Sequence, residues 1–144
     1  MLSASSKHFY AGYYYYNSEG WPPHHGVKGD IYTIDRSVPE GEFYAQWVTV
    51  ILSYRPMYWV QVGYAKSQAT QYRLQSYFEK NDKNGYITDY FSLRYPDNIY
   101  EYWISKHPEY LDWRCGSDDW SVYLGILSPN EARDYQAFSE MVST

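Results

Sequence analysis

The sequence predicts an all-β protein built as a sandwich of two sheets, and three observations carry that expectation. Aromatic residues make up 22% of the 144 residues, and 20 of these are Tyr. Such side chains suit pleated, half-buried surfaces, where a ring packs and a polar tip stays wet. Helix formers are few, and turn residues recur at roughly 8–12-residue intervals, the pattern of sandwiches and barrels.

The elements follow in order. A first strand is expected near residues 9–16, through Tyr13-Tyr14-Tyr15-Tyr16, before an irregular loop broken by Gly20, Pro22, Pro23 and Gly26. Gly29 to Asp35 forms the next strand, closed by Pro39-Glu40-Gly41. Phe43 to Ser53 is apolar at successive positions, which marks a central strand buried on both faces. Tyr58 to Tyr64 follows, then Gln71 to Lys80. The run Asn81 to Gly85 is a hairpin turn, because Asn-Gly readily takes positive φ. Gly85 to Leu93, Ile99 to Ser105, Trp120 to Leu127 and Gln136 to Val142 complete the strands. Ser128 to Asp134 reads as one helical turn, with Ser128 as N-cap and Pro129 at the first position. One domain is expected over 1–144, with 1–28 as N-terminal strand and loop and 29–144 as the body.

Bulk properties narrow the function. A net charge of −5 favours solubility and argues against a nucleic-acid surface. No apolar run reaches the ~20 residues that cross a bilayer, so no membrane partner is expected. Met1 to Tyr10 shows no secretory signal pattern. The single cysteine, Cys115, excludes an internal disulfide; with no His in a Cys–His pattern it reads as a buried or idle thiol. His24-His25 lacks a second ligand pair for zinc, Asp82, Asn84 and Asp89 lack calcium-loop spacing, and Asp118-Asp119 reads as a turn. Neither metal nor cofactor is expected.

Two polar residues stand out among apolar strand neighbours. Alternation in Tyr58 to Tyr64 sets Trp59, Gln61 and Gly63 on one face and Tyr58, Val60, Val62 and Tyr64 on the other. Gln61 therefore occupies a strand centre, and a buried amide there needs partners. Glu140 shares a face with Gln136, Phe138 and Val142, where burial would raise its pKa. The plain alternative is that both point to solvent from a half-exposed sheet.

The segments Gln46-Trp47-Val48, Trp59-Val60-Gln61-Val62-Gly63-Tyr64, Tyr77-Phe78-Glu79 and Ala137-Phe138-Ser139-Glu140 resemble the glutamic peptidases of the eqolisin type and the neprosin-like domains. The resemblance spans roughly residues 27–143. It implies a concanavalin-like jelly-roll sandwich of two antiparallel sheets, an extracellular setting, and a metal-independent, acid-tolerant peptidase. Gln61 and Glu140 would be its catalytic pair, with Trp47, Trp59, Tyr77, Glu79 and Phe138 lining the cleft. In that chemistry the carboxylate activates water and the amide donates to the developing oxyanion. The sequence departs from the family at Ala137-Phe138-Ser139, which lacks an acid the relatives carry.

Two further readings stay open. The aromatic strand faces could form a concave cleft for a glycan or a peptide, or could simply pair across strands to stabilise the sheet. A chain ending within Gln136 to Val142 could also leave an open edge through which copies of the chain assemble.

Overall fold

The computed structural model describes residues 7–16 and 26–143, with side chains for 26–137. The chain forms ten strands among the described residues: β1 (Lys7–Tyr16), β2 (Gly26–Tyr32), β3 (Phe43–Tyr54), β4 (Met57–Lys66), β5 (Gln75–Asp82), β6 (Gly85–Leu93), β7 (Ile99–Lys106), β8 (Trp113–Ser117), β9 (Trp120–Gly125) and β10 (Asp134–Ser143). They make two antiparallel sheets, a six-stranded one ordered β1-β10-β3-β4-β5-β6 and a four-stranded one ordered β2-β7-β8-β9. The all-β jelly-roll sandwich expected from the sequence is what forms.

Alternation produces the core. In β4, Val60, Val62 and Tyr64 are fully buried, while Trp59 and Gln61 on the opposite face are only partly covered. Val48, Val50 and Leu52 of β3 and Phe78 of β5 join that inner face. They meet Tyr102, Ile104, Trp113 and Cys115 of the smaller sheet. Central β3 is buried on both faces, as its continuous apolar run predicts.

Polar contacts fix the two sheets together at their ends. Arg94, just after β6, is almost fully buried, and its guanidinium donates to Asp119 Oδ1 and to Ser117 Oγ, both at 2.9 Å. Trp120 stacks on Phe91 with ring centroids 4.2 Å apart and donates from Nε1 to Ser76 Oγ at 3.0 Å.

Several expectations need correction. The segment expected to be a helical turn, Ser128 to Asp134, is irregular up to residue 133 and enters β10 at Asp134, because tertiary partners satisfy its polar groups. Ser128 N–H donates to Asp82 Oδ2, the Ser128 carbonyl accepts from Lys83 N–H, and Leu127 N–H donates to Asn130 Oδ1. The fifth strand starts at Gln75, not Gln71. A 3-10 turn over Gln68–Thr70 precedes it, and Gln71 and Tyr72 then adopt φ of 55° and 56°. Strand β8 is an addition, paired on both sides and joined to β9 by the Asp118-Asp119 turn. The C-terminal strand β10 is no open edge, since β1 and β3 pair with it on either side.

The outer strand β6 is modified along its length. Its register with β5 slips between Gln75 and Tyr77, where Gln75 Nε2 donates to the Phe91 carbonyl at 2.6 Å and Ser76 Oγ to the Ser92 carbonyl at 3.1 Å. Asp89 Oδ1 accepts from the Tyr90 N–H at 2.9 Å.

Candidate functional site

Antiparallel register aligns side chains on the face of the six-stranded sheet that points away from the smaller one. Directly opposed residues share a face, so pairing alone sets out rows running across the strands. One row reads Gln136, Thr49, Gln61, Glu79 and Thr88, on β10, β3, β4, β5 and β6 respectively. Two amides, two hydroxyls and a carboxylate thus lie in line over four strand spacings, about 19 Å.

An aromatic row flanks it on each side. Towards one end of the strands, Ile51, Trp59, Asn81 and Tyr86 align; towards the other, Trp47, Gly63, Tyr77 and Tyr90 do. Gly63 is required in the second row. A Cβ there would run into the Gln46 carbonyl oxygen and stand 2.7 Å from Trp47 Cα, so a bare backbone lets β3 and β4 close up beside the indole.

Hydrogen bonds tie the polar row to its aromatic neighbours. Trp59 Nε1 donates to Glu79 Oε1 at 2.9 Å, and the Tyr86 hydroxyl donates to Glu79 Oε2 at 2.8 Å. Gln61 Nε2 donates to the Tyr77 hydroxyl. Burial, with the Glu79 carboxylate beside it, pushes the Tyr86 phenol up to about 12, and the same two causes raise Tyr90. Both phenols therefore remain protonated donors through the physiological range. Thr49, only 2% exposed, has a buried Oγ1 with no partner among the described residues. An orphan hydroxyl of this kind costs about 1–3 kcal/mol unless something satisfies it.

Five of the seven residues expected to form a site therefore share this face: Trp47, Trp59, Gln61, Tyr77 and Glu79. Trp47 and Tyr77 are buried within it, whereas Trp59, Gln61 and Glu79 are partly exposed. The side chains of Phe138 and Glu140 lie outside the described residues. Their backbone positions are defined, opposite Trp47 and Ala45 on β3. Gln61 lies opposite Thr49, so β3 separates it from β10, and its register position is four residues along from that of Glu140. Two strand spacings and four residues amount to about 16 Å between backbones. The pairing does not bring Gln61 and Glu140 together.

The face also holds residues outside the expected site: Gln136 of β10, Thr49 of β3, and Tyr86, Thr88 and Tyr90 of β6. Alternation after the Asn84-Gly85 turn is the signal that could have found the β6 residues, because a short hairpin fixes which β6 side chain stands beside Glu79. Among the described residues no cluster of three or more His, Cys, Asp or Glu side chains could hold a metal ion. Cys115 lies in the core, where burial pushes its thiol up to about 12.

No family model matches the chain, and no curated protein does; the glutamic-peptidase resemblance thus has no family match behind it. Among solved structures, the chain is similar to a Bacteroides ovatus mixed-linkage glucan GH16 protein in complex with a G4G4G3G product, at a TM-score of 0.47 and 8% identity over 87% of this chain and 59% of that one. It is likewise similar to a Bacteroides ovatus glycoside hydrolase family 16 endo-glucanase in complex with G4G3G-2F-DNP, at 0.47 and 9% over 87% and 58%. A third is LamAcat from Zobellia galactanivorans, at 0.48 and 11% over 99% and 69%. The chain spans about three-fifths of the length of the first two.

Proposed function

We propose that this chain is a glycan-binding β-sandwich, with the ligand lying across the strands along the Gln136–Thr49–Gln61–Glu79–Thr88 row. The observation that carries this reading is the row itself, a polar line between two aromatic ones. Sugars present apolar C–H faces and a rim of hydroxyls. Rings such as Trp59 and Tyr86 suit the former, and amide, carboxylate and hydroxyl groups suit the latter. Trp59 and Tyr86 are held in place by Glu79, so little side-chain freedom is lost on binding.

The same geometry favours binding over hydrolysis. A glycosidase needs two carboxyl groups about 5–9.5 Å apart. Glu79 and Asp134 occupy this face three strands and two residues apart, about 16 Å between backbones. The register position of Glu140 is farther still from Glu79.

The test is a glycan array followed by calorimetric titration of the best neutral oligosaccharide. Wild-type binding that falls at least tenfold in Trp59→Ala, with no release of reducing ends on prolonged incubation, supports the reading. Equal affinity of wild type and Trp59→Ala counts against it.

A further inference from the structure

The opposite side of the molecule carries a second, independent feature. On the outer face of the smaller sheet, Lys28, Trp103, Gly116 and Ser121 form one row across all four strands. Trp103 is half-buried, and a Cβ at Gly116 would stand only 2.8 Å from its Cζ2. The benzo edge of the indole thus reaches over Gly116, into space that any larger residue would fill. No hydrogen bond reaches its Nε1 among the described residues.

Beside this ring is a shallow hollow of about 490 Å³, lined by Gly26, Val27, Lys28, Glu101, Trp103, Ile104 and Ser105. Lys28 Nζ and Glu101 Oε2 meet at its rim, 3.5 Å apart, with side chains 67% and 37% exposed. A pair this long and this wet contributes roughly 0–1 kcal/mol to stability, so the fold does not account for its placement. Farther along the face, Tyr123 is 63% exposed, with Arg114 set 5.5 Å over its ring. By pairing it lies two strands and two residues from Trp103, about 12 Å between backbones.

We infer that this face is a second carbohydrate site, taking a neutral glycan with one sugar ring stacked on Trp103 and its hydroxyls bonded to Lys28 and Glu101. The ligand class follows from the groups present. A flat indole with a free N–H suits the C–H face and edge oxygens of a pyranose. A cation and an anion at the rim donate to and accept from neighbouring hydroxyls with charge-assisted strength, and Asp30, opposite Glu101 on the same face, disfavours an anionic ligand. Tyr123 is placed to meet a sugar farther along the same chain. This site stands on residues separate from the Trp59–Glu79 face and does not depend on it.

The test probes an array of neutral glycans, then titrates the strongest binder into wild type, Trp59→Ala, Trp103→Ala and Lys28→Ala. The Trp103 indole N–H resonance is followed by NMR. The expected result is residual binding in Trp59→Ala that shifts the Trp103 resonance. That binding weakens about tenfold when Trp103→Ala is added and several-fold with Lys28→Ala. Binding abolished by Trp59→Ala alone overturns this inference and leaves the first site standing. Binding abolished by Trp103→Ala and untouched by Trp59→Ala does the reverse. A Trp103 resonance that stays put, or no neutral glycan bound at all, also overturns it.

Discussion

Trp59 and Glu79 are joined across adjacent strands by a 2.9 Å hydrogen bond from the indole N–H to one carboxylate oxygen, while Gln61, not Trp59, directly opposes Glu79 in the register. The bond therefore runs diagonally and draws the indole over the polar row. With Tyr86 on the other oxygen, both acceptor atoms of Glu79 are occupied by aromatic donors.

Replacing Glu79 with Gln keeps the shape but leaves one of the two donors facing an amide N–H. Glycan affinity is expected to fall about three- to tenfold, as Trp59 and Tyr86 lose their fixed positions. Stability should change by less than about 1 kcal/mol, because Trp59 and Glu79 are partly open to solvent and Tyr86 is more than half exposed. Calorimetric titration alongside urea denaturation separates the two effects.

Gly63→Ala should be among the most damaging single-methyl changes in the chain. The added carbon meets backbone atoms of Gln46 and Trp47, which cannot move aside as a flexible side-chain end could. Overpacking of this kind costs about 1–3 kcal/mol or more. A urea midpoint within error of wild type would show that β3 and β4 can separate there without penalty.

Acid should destabilise the fold through two carboxylates. Arg94 holds Asp119 below the usual carboxylate range. Burial pushes Asp82 up, but hydrogen bonds from Lys80, Ser128 N–H and Asn84 N–H outweigh it, and the net shift is downward. A depressed folded-state pKa contributes stability that is complete above the unfolded value, near 3.9, and is lost as pH falls through the folded value. Urea midpoints should therefore hold steady from about pH 7 to 5 and drop below about pH 4. Asp119→Asn should be less stable at neutral pH and show a shallower acid decline.

Cys115 should behave as a protected thiol. It is fully buried and its pKa is pushed up to about 12, so little thiolate exists and reagents cannot reach it. Disulfide-exchange reagents should modify it only as fast as the protein unfolds, and at the ordinary rate in denaturant. Rapid modification of the native protein would contradict the packing of Trp113 and Cys115 in the core.

The sequence made some of this visible and hid the rest for identifiable reasons. Alternation placed Trp59 and Gln61 opposite Val60 and Val62, because only one face of β4 is sealed by the second sheet. It could not supply strand order, and β3 standing between β4 and β10 is what separates Gln61 from Glu140. Strand β8 has little strand signal of its own, being five residues that include Arg114 and Gly116; its place comes from pairing on both sides. Ser128 to Asn130 has the composition of a helix start, yet Asp82 and Lys83 of the neighbouring hairpin compete successfully for its backbone groups.

The irregularities of β6 bear on how the molecule behaves at high concentration. A free outer strand of nine residues, with Tyr86 and Ile87 more than half exposed, would ordinarily invite a neighbour to extend the sheet. Here the Tyr90 amide is already taken by the carboxylate one residue before it, and the slip opposite Gln75 and Ser76 bends the strand out of regular pairing. An approaching strand would have to displace a negative charge and straighten a kink before gaining its first bonds. Extension of the sheet at its β6 edge is thereby discouraged, even though Tyr86 and Ile87 stay exposed there.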